Sequence, residues 1–220
     1  MARNRVVAFS RADKAHVAFD MLRTKVARSA HEENWRSLGI TAPTSGCGKA
    51  TVALNLAMTL AKQQDFRVVL MDLDLRSPRI ATMLGHEPIC SMEEFLTSGW
   101  LIEEFFVRVG ENLAIGASSE SMAHPAELLL NRRTRWTLKR LQNTLAADIV
   151  IYNLPPMLLS DDCNGFLPQV DRTMLVVGAE QSTISEIDVC ERELAAESKL
   201  LGVVLNKCKH SSEQYGNYGV

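Results

Sequence analysis

I-T-A-P-T-S-G-C-G-K-A-T, residues 40 to 51, joins an apolar strand end to a glycine loop carrying Lys49 and to the start of an amphipathic run. The phosphate-binding signature at such a junction is G-x-x-x-x-G-K-[S/T]. Successive backbone N–H groups and the following helix N-terminus cradle a polyphosphate there. Ser45, Gly46, Cys47, Gly48, Lys49, Ala50 and Thr51 are the candidate cradle, and Lys49 would reach the β- and γ-phosphates. The residue after the lysine normally supplies a hydroxyl to Mg²⁺. Here it is Ala50, with Thr51 one place late, and Pro43 stands at the first glycine position. The loop therefore predicts ATP or ADP binding with an incomplete metal site.

Outside the loop, the chain has 220 residues, 46% hydrophobic and 23% charged, which suits one soluble domain with a sizeable core. A formal net charge of −2 argues against a general nucleic-acid binder. The 5 cysteines are scattered, with no C-x-x-C, so a reducing, cytoplasmic setting is expected. The N-terminal apolar stretch is too short for a signal peptide, and no run approaches the ~18–20 apolar residues that cross a bilayer.

Apolar positions at Ala15, Ala18, Phe19, Leu22 and Val26 predict an amphipathic helix over 13–28, followed by a polar loop from His31 to Arg36. From there strands and helices alternate. Strands are expected at 37–41, 67–72, 112–117, 149–154, 172–179 and 201–206. Helices are expected at 49–63, 126–146 and 183–198, the second with Pro125 in its first turn and the third with Thr183 and Glu186 spaced as a capping box. Such alternation gives an α/β fold, a mostly parallel central sheet with helices on both faces. The organisation is a helical segment over 1–36 packed on the core, a P-loop nucleotide-binding domain over 37–208, and a flexible tyrosine-containing tail over 209–220.

Ligands on such sheets sit at the carboxyl ends of the strands. There V-V-L-M-D-L-D-L-R-S-P, residues 68 to 78, places Asp72 and Asp74 two apart. Paired carboxylates on a buried strand end repel unless a cation is near, and a Mg²⁺-nucleotide would supply one. A turn with solvated acids is the bland alternative. I-V-I-Y-N-L-P-P, residues 149 to 156, ends a strand in Asn153, where a metal-site carboxylate is usual. Asp161 and Asp162 follow, read mainly as helix caps. N-R-R-T-R-W-T-L-K-R, residues 131 to 140, is a basic run, read first as a solvated helix face.

With these segments in view the chain resembles the cytoplasmic tyrosine-kinase domain of bacterial capsule and exopolysaccharide systems, the CpsD/CapB type. That type belongs with the MinD/ParA-like P-loop ATPases. The matching segments are A-F-D-M-L-R-T (18–24), G-C-G-K (46–49), D-L-D-L-R-S-P (72–78), P-A-E-L-L (125–129), the strand ending at Pro155 and Pro156, and G-V-V-L-N (202–206). The resemblance implies that Asp72 is base and metal ligand, that Asp74 supports it, and that Asn206 contacts the adenine. It implies a membrane chain-length regulator of the Wzz type as partner. A place at the inner face of the plasma membrane and homo-oligomer formation follow from the same likeness. Of the family's E-x-x-R-x-x-R helix motif only Arg23 remains, Val17 and Asp20 standing at the other positions.

The implied activity is ATP-dependent tyrosine phosphorylation, attenuated because Ala50 and Asn153 occupy magnesium positions. Tyr215 and Tyr218, in Y-G-N-Y-G-V, are the candidate phosphoacceptors, an ordinary terminus being the alternative. One competing reading is a MinD/ParA-like switch ATPase using 131–140 as its contact surface. Against it, the glycine loop lacks that group's second lysine, and no amphipathic membrane helix follows Asn206. Another is a catalytically inactive, nucleotide-bound scaffold for the chain-length regulator.

Overall fold

The computed structural model of the protein describes residues 14–99, 101–196 and 199–208. Its centre is a seven-stranded sheet. In chain order the strands are β1 (Ser37–Thr41), β2 (Val68–Asp72), β3 (Phe106–Val109), β4 (Leu113–Gly116), β5 (Ile149–Asn153), β6 (Arg172–Gly178) and β7 (Leu200–Asn206). Across the sheet the order is β3-β4-β2-β5-β1-β6-β7. Every neighbouring pair is parallel except β3 with β4. The predicted α/β class and its mostly parallel sheet are therefore present.

Side chains on a strand alternate between faces, and here both faces are apolar. Leu38, Ile40, Val68, Leu70, Ile149, Ile151, Met174 and Val176 build one core layer, beneath α1 (Lys14–Glu33), α2 (Lys49–Leu60) and α3 (Ile80–Leu84). Val69, Met71, Val150, Tyr152, Leu175 and Val177 build the other. That second layer is covered by α4 (Met92–Ser98), α5 (Ile102–Phe105), α6 (Pro125–Leu130), α7 (Arg132–Thr144), α8 (Asp162–Phe166) and α9 (Ile184–Ala196). Burial on both sides explains why these strands read as continuous apolar runs.

Several boundaries differ from the sequence reading. α1 continues to Glu33, through the start of the expected polar loop. It packs on α2, with Val26 and Ala30 buried in the first layer. The helix expected over 126–146 is two helices. Asn131 takes an extended conformation (φ −63°, ψ 137°), and its side chain accepts from Arg133 N at 2.8 Å, capping α7 afresh. Between Arg76 and Asn112 the chain adds α3, α4, α5 and the antiparallel edge strand β3, none of them expected. These are 4 to 7 residues long, too short for periodicity to register. The Thr183–Glu186 capping box is formed: Thr183 N donates to Glu186 Oε2 at 2.8 Å, and Glu186 N to Thr183 Oγ1 at 3.2 Å. The end of the helix expected to reach Ser198, and the tail with Tyr215 and Tyr218, lie outside the described residues.

Candidate functional site

The carboxyl ends of β1, β2, β5, β6 and β7 converge on the glycine loop. Register sets Asp72 opposite Asn153, Asn153 opposite Ile40, and Gly178 opposite Asn206. From Thr41 the chain turns through 42–48 into α2, whose N-cap is Gly48. Gly46 (φ 86°) and Gly48 (φ 92°) both lie in the left-handed region, where a side chain is strained. A Cβ would also push aside the side-chain amides that hold the loop. A Cβ on Gly46 would stand 2.6 Å from Gln181 Nε2, and one on Gly48 would stand 2.2 Å from Asn206 Nδ2.

Contacts from the carboxyl ends of β6 and β7 fix the loop. Gln181 Nε2 donates to Ser45 O at 2.7 Å, and Asn206 Nδ2 donates to Cys47 O at 2.9 Å. Lys207 Nζ in turn donates to Gln181 Oε1 at 3.2 Å. Gln181 and Lys207 escaped the sequence reading. Their position just past the carboxyl ends of β6 and β7 was the available signal. Cys47 is buried, its sulfur 3.4 Å from Ser182 Oγ.

Lys49 opens α2 and is buried, with Nζ paired to Asp74 Oδ2. Asp72, at the end of β2, is fully buried. Its Oδ2 accepts from Arg79 N and Ile80 N, each at 2.9 Å, and its Oδ1 from Asn153 Nδ2 at 2.7 Å. Burial pushes the Asp72 carboxyl above the usual carboxylate range; the donors from Ile80, Asn153 and Arg79 and the charge of Lys49 offset only part of this. Thus Lys49, Asp72, Asp74 and Asn153 lie together beneath the loop, and Asn206 touches it from the side.

The donor set tests whether magnesium fits. Ala50 brings a methyl group where a hydroxyl would ligate the ion. Thr51 stands about 100° further round the helix and cannot replace it. Mg²⁺ demands near-octahedral oxygen ligation, and among the described residues no group of three or more His, Cys, Asp or Glu side chains is arranged to hold a metal. A magnesium ion here would keep several of its waters, with Asp72 and Asp74 as the carboxylates nearest the loop. Asn153 Oδ1 is a buried acceptor without a partner, suited to the O–H of a water rather than to charge neutralisation.

Asp161 and Asp162 differ from the caps expected of them. Asp161 stands at the N-cap of α8 with no side-chain cap bond. Asp162 is buried, and both its oxygens take the guanidinium fork of Arg76: Nε pairs with Oδ2, and Nη2 lies 3.1 Å from Oδ1. Arg76 Nη1 also donates to Ala123 O at 2.6 Å. The arginine of the D-L-D-L-R-S-P segment therefore ties the loop after β2 to α8. The basic run 131–140 forms most of α7, with Arg132, Arg133, Arg135, Lys139 and Arg140 exposed.

Comparison with known proteins follows the same outline. A family model described as the CobQ/CobB/MinD/ParA nucleotide binding domain matches residues 38–217. The chain is similar to the tyrosine-protein kinase YwqD of Bacillus subtilis (strain 168), 31% identical over 202 residues, 90% of this chain and 84% of that protein. It is similar to the tyrosine-protein kinase CpsD of Streptococcus agalactiae, 26% identical over 211 residues, 94% of this chain and 90% of that one. Among solved structures it resembles the kinase domain of the Escherichia coli tyrosine kinase ETK, with a TM-score of 0.83 at 25% identity, covering 98% of this chain and 84% of that one. Among the described residues no helix is long and apolar enough to cross a membrane.

Proposed function

We propose, on the premise that this chain belongs to the CobQ/CobB/MinD/ParA nucleotide binding domain family and with the bacterial tyrosine-protein kinases in it, that it is an attenuated ATP-dependent tyrosine kinase regulating exopolysaccharide or capsule synthesis or export. Lys49 carries the reading. It is buried at the first turn of α2, beneath a loop pinned by Gln181 and Asn206, with Asp74 as its partner. In this reading ATP or ADP lies along residues 45–51, Lys49 turns from Asp74 toward the β- and γ-phosphates, and Asn206 lies beside the adenine. Asp72 is the proton acceptor for an incoming phenol. Burial raises its proton affinity toward what a general base needs.

Phosphoryl transfer rests on positioning and charge neutralisation. Magnesium, where present, supplies neutralisation. Here Lys49 and the loop amides carry more of that task, which is the reason for attenuation. The substrates are Tyr215 and Tyr218 of a neighbouring copy, and the partner is a Wzz-type membrane chain-length regulator that holds the chain at the inner face of the plasma membrane. Calorimetry with ADP tests the core of the proposal. Wild type should bind and Lys49→Ala should not; a wild type without ADP binding would overturn it.

A nucleotide-bound scaffold without turnover is the second reading, favoured by Ala50 and by the internal pairing of Asp72 with Asn153. ADP binding with no phosphotyrosine after incubation with ATP would select it.

A further inference from the structure

On the second face of the sheet, away from the glycine loop, a cleft of about 440 Å³ opens between α7 and the chain entering β6. Arg135, Lys139 and Gln142 of α7 form one wall; Tyr152, Gln169 and Asp171 contribute to the rest. Arg135 and Lys139 are four apart, so they project from one helix face as neighbours, and like charges at that spacing repel. Both are exposed. Among the described residues neither side chain is joined to an acid or to any other hydrogen-bond partner.

The floor is equally short of partners. Tyr152 is 5% exposed, and its ring packs edge-on against Phe166 at 5.2 Å between centroids. The Tyr152 ring is buried, but its hydroxyl is not among the enclosed polar atoms; it lines the cleft and has no hydrogen-bond partner among the described residues. Burial, with a smaller contribution from the Asp171 charge, pushes this phenol above its ordinary range, so it stays protonated and able to donate. Gln169 spends its Nε2 on Leu129 O at 2.9 Å and leaves Oε1 buried without a partner, an acceptor that a hydroxyl of a ligand's organic part could serve but its phosphate could not.

Asp171 is the acid on these walls, and its Oδ2 is turned to neutral donors of the chain entering β1, while Arg135 and Lys139 leave the cleft with more positive than negative charge. Its Oδ2 accepts from Arg36 N and Ser37 N, each at 2.9 Å, and from Ser37 Oγ at 2.8 Å. The unpaired donors, Arg135, Lys139 and the Tyr152 hydroxyl, call for an acceptor-rich anion. A phosphate group offers oxygens in several directions, which suits donors arriving from a helix wall and from the floor. The volume also exceeds that of a bare ion, leaving room for an organic moiety.

We propose that this cleft binds the phosphate group of a small organic phosphate, with Arg135 and Lys139 pairing its charge and the Tyr152 hydroxyl donating to one of its oxygens. A free phosphorylated metabolite and a phospholipid headgroup share this chemistry. The site is separate from the nucleotide loop and does not depend on kinase activity.

The chain has only 3 tyrosines, so ring-labelled tyrosine gives a sparse NMR spectrum in which Tyr152→Phe identifies the Tyr152 signal. The full chain is titrated with glycerol 3-phosphate in the presence of ADP. In a second arm it is sedimented with phosphatidylcholine vesicles with and without phosphatidylglycerol. A saturable shift of the Tyr152 signal, weakened at least about tenfold in Arg135→Ala/Lys139→Ala, supports a soluble ligand. Co-sedimentation only with phosphatidylglycerol vesicles, lost in the same variant, supports a headgroup. No response in either arm, or a folded double variant that responds as wild type does, overturns the proposal.

Discussion

Asn153 Nδ2 donates a 2.7 Å hydrogen bond to Asp72 Oδ1, across adjacent strands whose register sets the two residues side by side. An aspartate at 153 would present a second carboxylate to a fully buried first one. The amide instead satisfies Asp72 from within the protein, and the pair needs no cation to be stable.

Asn153→Asp alone should therefore destabilise the protein, by about 1–3 kcal/mol near neutral pH, because one bond is lost and two carboxylates share a buried site. The pair will retain a proton that the unfolded chain releases, so its folded pKa lies above the unfolded value. The variant's deficit should grow as pH rises and shrink in mild acid. Urea unfolding at about pH 5 and about pH 8 checks this; equal stability to wild type at both would sink the account.

Ala50→Ser combined with Asn153→Asp restores a hydroxyl and a carboxylate at the magnesium positions. ATP turnover should rise at least about tenfold, ~1.4 kcal/mol in barrier. In wild type, Mg²⁺ should improve ADP affinity by less than about tenfold, read by calorimetry with and without the ion. A folded double variant with unchanged turnover would mean that something other than the metal site limits the rate.

Gln181→Ala releases Ser45 O, yet it leaves the buried core untouched. ADP binding should weaken by roughly threefold to tenfold, the scale of one hydrogen bond, with little change in melting temperature. Gly48→Ala should weaken binding more, since it strains a left-handed backbone (φ 92°) and its Cβ would displace the Asn206 amide from Cys47 O. Calorimetry paired with thermal unfolding separates the two effects, and a Gly48→Ala protein with normal ADP affinity would contradict the loop geometry.

Asp162→Asn tests the tie to Arg76. Burial raises the Asp162 pKa, but bonds from Arg76 and Ser160 and the Arg76 charge outweigh it and bring the carboxyl below 3.8. A depressed folded pKa gives stability that is present above the unfolded pKa and lost as pH falls through the folded one. Wild type should exceed the variant by about 1–2 kcal/mol at neutral pH, reduced from a fully buried pair because Arg76 is partly exposed. The gap should close below pH 3.8. A gap independent of pH would assign the effect to packing.

Phosphate from ATP should appear on Tyr215 or Tyr218 and be absent in Asp72→Ala, as read by mass spectrometry. Tyr152 should stay unmodified because its ring is buried in the second core layer. Phosphate on Tyr152 alone, or equal labelling in the Asp72→Ala control, would refute the tail as substrate.

The sequence by itself determined the strand-loop-helix with Lys49, the parallel α/β class and the nearness of Asp72 and Asp74 to the loop. Those features are written in local spacing: apolar runs, glycines that need positive φ, and carboxylates at strand ends. It also marked Ala50 and Asn153 as departures. Local spacing stopped short where helices were brief, as between Arg76 and Asn112, and where Asn131 broke a helical pattern by capping a new helix. Only the tertiary structure decided that Asn153 serves Asp72, that Asp162 holds Arg76 from 86 residues away, and that Gln181 grips Ser45 across 136. Each of these bonds joins the carboxyl ends of different strands or the loops beyond them. Strand order and register set which ends meet, and those are fixed by packing the two apolar layers together rather than by any one segment.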